Sequence, residues 1–171
     1  MAAMRLEPLC TITMRYTSGC WHQPYGRTLE SAQEGVGFGQ GEGAVTGDIE
    51  GGAMWANYPR RREDGVWTPN VRGVLTTDAG KSLLLSIHGL SVAEQAPGHR
   101  RAVTARVELT SEDVEYRWLN TCFLVGEGEI DETQERWWLR TFVCINEQAL
   151  GPPGIGTEPP ARFRQRGSAL R

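Results

Sequence analysis

The side chains best suited to hold a small molecule by hydrogen bonds stand close together, at Tyr116, Trp118 and Asn120. They belong to a run from Glu115 to Val125 that no glycine or proline interrupts. Read as a strand, the run places these three side chains on one face and mostly apolar residues on the other. A phenol, an indole and an amide on one face predict the lining of a β-barrel. An ordinary core strand, with Tyr and Trp paired to backbone groups, is the competing interpretation.

Three further residues would supply the charge and the base that a reaction on such a lining needs. Arg72 would form a charge-assisted fork with a carbonyl or carboxylate, while Tyr116 and Asn120 donate to an oxygen. His88 or Glu42 would act as the general base. Donors aimed at a developing enolate support isomerisation, cyclisation or dehydration without a cofactor. The remaining predicted ligand-binding residues are Trp118, Trp55, Met54, Asn70 and Arg140.

Each of these candidates also has a purely structural interpretation. His88 stands on a half-polar strand face, where a histidine that is merely hydrogen-bonded is the commoner case. Arg72 could pair with a carboxylate such as Glu108, and Asn120 could cap backbone groups of the barrel. Glu42, held among glycines, is typical of a solvent-exposed bulge residue.

Other familiar kinds of site are not supported by the sequence. The three histidines and four cysteines are scattered, so no close pair of metal ligands occurs. No serine stands in a nucleophile-elbow context. The tripeptide Gly37-Phe38-Gly39 lacks the strand-then-helix context of a dinucleotide fingerprint. We therefore predict neither a metal nor a cofactor.

Composition narrows the class of protein further. The 171 residues carry a formal net charge of -3 and a pI near 5.7, which argues against electrostatic binding of nucleic acid. An apolar share of 39%, with 21 glycines and 9 prolines, favours an all-β protein rich in turns. No run approaches transmembrane length, and the first nine residues have no apolar core. We expect a cytoplasmic protein with no membrane partner.

Strand-like segments follow one another at hairpin distances, with scarcely any helical periodicity. The predicted strands are Arg5–Thr17, Gly41–Ile49, Ala53–Pro59, Val66–Thr77, Lys81–Leu90, Arg101–Thr110, Glu115–Val125 and Trp137–Asn146. This succession predicts a single antiparallel closed barrel of roughly eight to ten strands, a size that can hold one small ligand. We assign residues 1–150 to the barrel. The irregular remainder, 151–171, is rich in proline, glycine and arginine and is expected to be a flexible tail.

The segment from Gly35 to Gly52 has the most unusual composition in the chain, because glycine recurs at nearly every second position. Such a segment cannot open a helix. It predicts a strongly bent or bulged strand at a barrel corner, where the missing side chains let another backbone or a ligand approach closely.

Several of these elements occur together in a known order. The matching motifs are Gly51-Gly52-Ala53-Met54-Trp55, Asp64-Gly65, Arg72, Thr77-Asp78-Ala79-Gly80 and Tyr116-Arg117-Trp118-Leu119-Asn120. In order and spacing the chain resembles the domain-of-unknown-function 3237 family, also called the UPF0311 proteins, from about Leu6 to Glu147. The resemblance implies a calycin-like closed antiparallel barrel, a homo-oligomer, and no assigned general reaction.

Two positions depart from the pattern of that family. Met54 stands where the family usually has an aspartate, and Ala79 replaces the second acid of its usual Thr-Asp-Asp-Gly turn. A cofactor-independent isomerase, cyclase or lyase acting on a partly apolar carbonyl- or carboxylate-bearing metabolite is the first functional hypothesis. The two losses favour the alternative, a non-catalytic ligand-binding barrel. A barrel filled by its own side chains is the third.

Overall fold

The computed structural model describes residues 4–17, 35–94, 100–134, 136–146 and 161–163. Within them the chain forms eleven β-strands and two short 3₁₀ helices. The strands are β1 (Arg5–Tyr16), β2 (Gly35–Val36), β3 (Gly39–Gly47), β4 (Gly51–Asn57), β5 (Arg60–Arg61), β6 (Trp67–Thr68), β7 (Asn70–Thr77), β8 (Ser82–Ala93), β9 (Arg100–Thr110), β10 (Leu124–Asp131) and β11 (Arg136–Ile145). The helices are η1 (Arg117–Thr121) and η2 (Ala161–Phe163).

Eight strands close into one antiparallel barrel, in the order β1, β3, β4, β7, β8, β9, β10, β11 and back to β1. When the hydrogen-bonded partners of Arg100 are followed round the barrel, they return to β9 at Thr110, ten residues farther along. Strands β2, β5 and β6 extend the sheet beyond β8. The predicted closed antiparallel barrel of roughly eight to ten strands is confirmed.

Alternation along the strands separates an apolar interior from a polar outer wall. On β1 the side chains of Ile12, Met14 and Tyr16 are buried, whereas Thr13 and Arg15 are exposed. Burying one large aliphatic side chain stabilises the fold by about 1.5–3 kcal/mol, so this interior is the main source of stability. The aliphatic residues that fill it are Val45, Val71, Leu75, Leu83, Leu85, Ile87, Val103, Val107, Leu109, Leu124, Leu139 and Val143.

The middle of the glycine-rich segment forms β3, which packs closely against its neighbours. A Cβ placed on Gly41 would overlap the carbonyl oxygen of Arg15 on β1 and come within 2.6 Å of the Trp55 ring. Two chain segments and an indole therefore approach more closely here than any residue with a side chain would permit. The predicted close approach of another backbone is confirmed, whereas the predicted bulge is not found, because β3 pairs with β4 and β1 without a register shift.

One end of the barrel, where β9 ends and β10 begins, is covered by η1, and we call it the Trp118 end. Trp118 and Leu119 are both buried, and the Phe163 ring stacks on Trp118 with centroids 5.1 Å apart. The predicted strand Glu115–Val125 is therefore wrong. Adjacent side chains cannot both point inward from a strand, but a tight helical turn can bury two neighbours.

Strand β10 continues through the acidic residues after Gly126 to Asp131 before the chain turns. The predicted strand Val66–Thr77 is interrupted at Pro69, which cannot donate to the sheet and separates β6 from β7. Of the predicted tail, 161–163 are described, and Phe163 is buried. No helix in the described part of the chain has the length and apolar character needed to cross a membrane.

Replacing Gly41 with alanine should destabilise the barrel. The new methyl group would overlap the Arg15 carbonyl and press on Trp55, so we expect the free energy of unfolding to fall by about 1–3 kcal/mol in urea titrations. Gly52→Ala is the matched control, since the nearest atom to its added Cβ is 3.7 Å away and the position is exposed. Equal stability of the two variants would contradict the close approach at Gly41.

Candidate functional site

Three of the predicted site residues meet on the surface of the barrel, together with Ser86. Asn70 is paired in register with His88, and Arg72 with Ser86, across β7 and β8. We call these four residues the Arg72 cluster. Their side chains point outward, because the neighbouring Val71 and Ile87 fill the interior. The prediction that Asn70, Arg72 and His88 line the lumen is therefore wrong.

Hydrogen bonds within the Arg72 cluster define the state of its histidine. Arg72 Nη1 donates to Ser86 Oγ at 2.6 Å and lies against His88 Nε2. A guanidinium can only donate, so Nε2 must be the unprotonated ring nitrogen and Nδ1 carries the proton. Partial burial, followed by the Arg72 charge, lowers the pKa of His88. The predicted Arg72 partner Glu108 contacts Arg106 instead, at 2.5 Å.

The other charged candidates are also on the outer wall. Glu42 forms an ion pair with Arg15 at 2.7 Å, and Arg140 forms one with Glu127 at 2.6 Å. Met54 is 75% exposed. Exposed pairs of this kind are well solvated and contribute little to stability. The predicted interior positions of Glu42, Met54 and Arg140 are wrong, because each occupies the outward phase of its strand.

In the stretch around η1, the side chain of Asn120 has a structural role. Asn120 Oδ1 accepts a hydrogen bond from the Ser111 backbone N–H at 2.9 Å, and its Nδ2 donates to the Ser111 carbonyl at 3.0 Å. This is the capping role that the sequence left open for Asn120. Tyr116 is half-buried beside Thr77, and Trp118 stacks on Phe163. Tyr116, Trp118 and Asn120 are in or next to η1, whereas the Arg72 cluster is on β7 and β8.

Buried polar groups converge at the opposite end of the barrel, where β1 and β4 end and β11 begins. Tyr16 and Trp55 are in edge contact, with centroids 4.8 Å apart, and Trp55 meets Trp137 at 5.6 Å. Asn57 Nδ2 donates to the Tyr16 hydroxyl at 3.2 Å, and Asn57 Oδ1 accepts from the Asn70 N–H. We call Tyr16, Trp55, Asn57 and Trp137 the Tyr16 cluster and this end of the barrel the Tyr16 end.

The Tyr16 cluster contains hydrogen-bond donors that have no acceptor. Trp55 and Trp137 are buried, and neither indole N–H has a hydrogen-bond partner among the residues that the structure describes. Burial raises the pKa of Tyr16 to about 12, against the opposing effect of the Asn57 hydrogen bond, so this phenol stays neutral. None of the buried residues in the described ranges is an Asp, Glu, Lys, Arg or His. The cluster can donate hydrogen bonds to a ligand oxygen, but it holds no proton-transfer pair.

Only Trp55 of this cluster was among the predicted site residues. The strand alternation does place Asn57 on the same face as Trp55, and this signal could have identified it. Tyr16 and Trp137 could not be identified from strand alternation, because they approach Trp55 only through pairings between strands that are distant in the sequence. For metals, the described residues contain no group of three or more His, Cys, Asp or Glu side chains arranged to hold an ion.

Comparison with known proteins places the chain by fold. No family model and no curated protein matches it. A β-barrel-like protein from Acinetobacter baumannii AYE superposes with a TM-score of 0.72 at 15% identity, covering 84% of this chain and 98% of that one. A conserved protein of unknown function from Rhodopseudomonas palustris gives 0.70 at 15% identity, over 85% and 100% of the two chains.

A further similar structure is that of an enzyme from Penicillium herquei, with a TM-score of 0.62 at 16% identity over 84% of this chain and 96% of that one. At such identities the likeness shows the barrel fold alone. Membership of the domain-of-unknown-function 3237 family stays a prediction.

Asn120→Ala should destabilise the Trp118 end. It would remove both hydrogen bonds to Ser111, a buried residue, and an unsatisfied buried backbone group costs about 1–3 kcal/mol. We expect a loss of that size in the free energy of unfolding measured in urea. The exposed neighbour Val114→Ala serves as the control. An unchanged stability for Asn120→Ala would mean that the cap is not formed in solution.

His88 should make stability depend on pH in a defined direction. In the unfolded chain His88 takes up a proton near its ordinary pKa of 6.5. In the folded chain its pKa is lower, so it takes up the proton only at lower pH. Its contribution to stability is therefore present above pH 6.5 and lost as the pH falls through the lowered value. We expect the stability advantage of the natural protein over His88→Gln to shrink between pH 8 and pH 5. An advantage that is the same at both pH values would contradict the lowered pKa.

Proposed function

We propose that the Tyr16 end of the barrel binds a small, largely apolar molecule that carries an acceptor oxygen. The observation that supports this proposal is the pair of buried indole N–H groups, on Trp55 and Trp137, that have no hydrogen-bond partner. Buried tryptophans usually find an acceptor. Two unpaired donors within a single aromatic cluster therefore suggest an acceptor that the described residues do not provide.

The energetics favour an external acceptor. Leaving a buried donor unpaired costs about 1–3 kcal/mol, and a carbonyl, ether or phenol oxygen on a ligand would recover that cost. An N–H group directed at the face of the neighbouring indole would recover only part of it, because such contacts are weak. The rings of Tyr16, Trp55 and Trp137 would meanwhile provide an apolar wall of the kind that surrounds most bound small molecules.

The architecture is compatible with this role. An eight-stranded barrel is wide enough for its own side chains or for one small ligand. At the Trp118 end the space is taken by Trp118, Leu119 and Phe163. The unpaired donors are at the other end, so binding there would not require the η1 turn to move. The filling of much of the interior by aliphatic side chains argues for a compact ligand.

A second candidate is a cofactor-independent enzyme acting at the same cluster. The solved barrel from Penicillium herquei, described as an enzyme, favours this candidate. Neutral donors fixed in a buried site can stabilise negative charge that develops on a substrate oxygen. The two bases suggested by the sequence, His88 and Glu42, are on the outer wall and are unsuited to that role. Binding is therefore the function that the geometry supports best.

Nuclear magnetic resonance of the indole N–H groups tests the proposal directly. Acetophenone, a compact ketone, would be titrated into the ¹⁵N-labelled protein, with indole signals assigned through single Trp→Phe variants. We expect the Trp55 and Trp137 N–H protons to move downfield as they form hydrogen bonds to the ketone. Trp138, which is on the outer wall, and Trp118, at the other end, should stay in place and serve as internal controls.

A movement of all the indole signals together would indicate nonspecific association, and no movement at millimolar ketone would contradict the proposed site. Trp55→Phe and Trp137→Phe should each weaken ketone binding by about tenfold, the value of one hydrogen bond of about 1.4 kcal/mol. Trp138→Phe should leave it unchanged.

A further inference from the structure

From the charges at the Tyr16 end we infer that the ligand is electrically neutral, and that the site rejects carboxylates of the same shape. This inference rests on the proposed function. It narrows the sequence-based hypothesis, which allowed either a carbonyl or a carboxylate on the ligand.

The buried polar side chains in the described part of the barrel are neutral. Within the described ranges they are Asn57, Thr77, Ser91, Ser111 and Thr141, and all of them are uncharged. A carboxylate moved into such surroundings would lose its hydration without gaining a counter-ion, whereas a ketone oxygen needs only a hydrogen bond. Two indole N–H groups satisfy a neutral oxygen but not a full negative charge.

Among the described residues, Arg101 is a nearly buried cation at this end, with its side chain 11% exposed, and its donors are already engaged. Its Nε donates to Ser91 Oγ at 3.1 Å, and its Nη2 donates to the carbonyls of Gly65 and Ser91 at 3.0 and 2.8 Å. Its Nη1 is 3.8 Å from Glu132 Oε1. A ligand carboxylate would have to displace these partners and would also meet the charge of Glu132.

The two arginines that the sequence assigned to the ligand, Arg72 and Arg140, are on the outer face of the barrel wall. Arg72 is bonded to Ser86 and lies against His88 on the outer face, and Arg140 is paired with Glu127 there. The sheet that forms the barrel wall separates both guanidinium groups from the Tyr16 cluster. Tyr16 cannot contribute charge either, since burial raises its pKa to about 12.

Three probes of closely similar size separate the possibilities. Acetophenone has a neutral acceptor oxygen, benzoate replaces its methyl group by a charged oxygen, and ethylbenzene has no acceptor. Each would be titrated into the full-length protein at pH 7.5, and affinity would be read from the Trp55 and Trp137 indole signals. We expect benzoate to bind at least about a hundredfold more weakly than acetophenone, and ethylbenzene about tenfold more weakly.

The outcomes distinguish this inference from the proposed function. Benzoate that moves the Trp55 and Trp137 signals with an affinity within tenfold of acetophenone would overturn the neutral-ligand inference and leave the site intact. If none of the probes moves those signals, the proposed site is wrong and the inference falls with it. Benzoate held by outer-wall arginines would perturb Trp138 instead, and that result counts as rejection by the Tyr16 cluster.

Discussion

The register of the closed sheet is the constraint on which the remaining structure depends. A displacement of ten residues per circuit fixes, for every strand at once, which side chains point inward. A slip of one residue on any strand would exchange its apolar and charged faces. The resulting division is sharp: the interior holds aliphatic and aromatic groups, and ion pairs such as Arg15–Glu42 and Arg140–Glu127 are on the outer wall. The buried side chains of the described residues are therefore neutral groups.

The division explains which parts of the fold could be predicted. Period-two alternation identified β1, β8, β9 and β11 almost to their ends, because each buries every second residue. Alternation alone does not say which of the two faces is the inner one. Arg72 was predicted to face a polar lumen, but it faces water on the outer wall, as charged residues usually do. At Tyr116–Asn120 an alternating pattern coincided with a 3₁₀ turn, and the adjacent apolar pair Trp118 and Leu119 was the missed signal.

The candidate site was predicted less well than the fold because its members are distant in sequence. Tyr16, Trp55 and Trp137 come from three strands, and their meeting follows from the pairing of β1 with both β3 and β11 and of β3 with β4. No local pattern encodes that arrangement. A sequence does show that Trp55 and Asn57 share a face, yet the absence of an acceptor for two indole N–H groups depends on the packing of several strands. Unsatisfied donors are a property of tertiary structure.

The pairing of β1 with β11 has a consequence for biosynthesis. The first long strand to leave the ribosome must wait for the last one before both of its edges are hydrogen-bonded, since β3 covers only one of them. During that interval β1 presents an open edge with alternating apolar residues, the kind of surface that pairs with other chains. Closing so long a loop is also entropically slow. Nascent chains of this barrel should therefore expose this pairing edge until β11 has been synthesised.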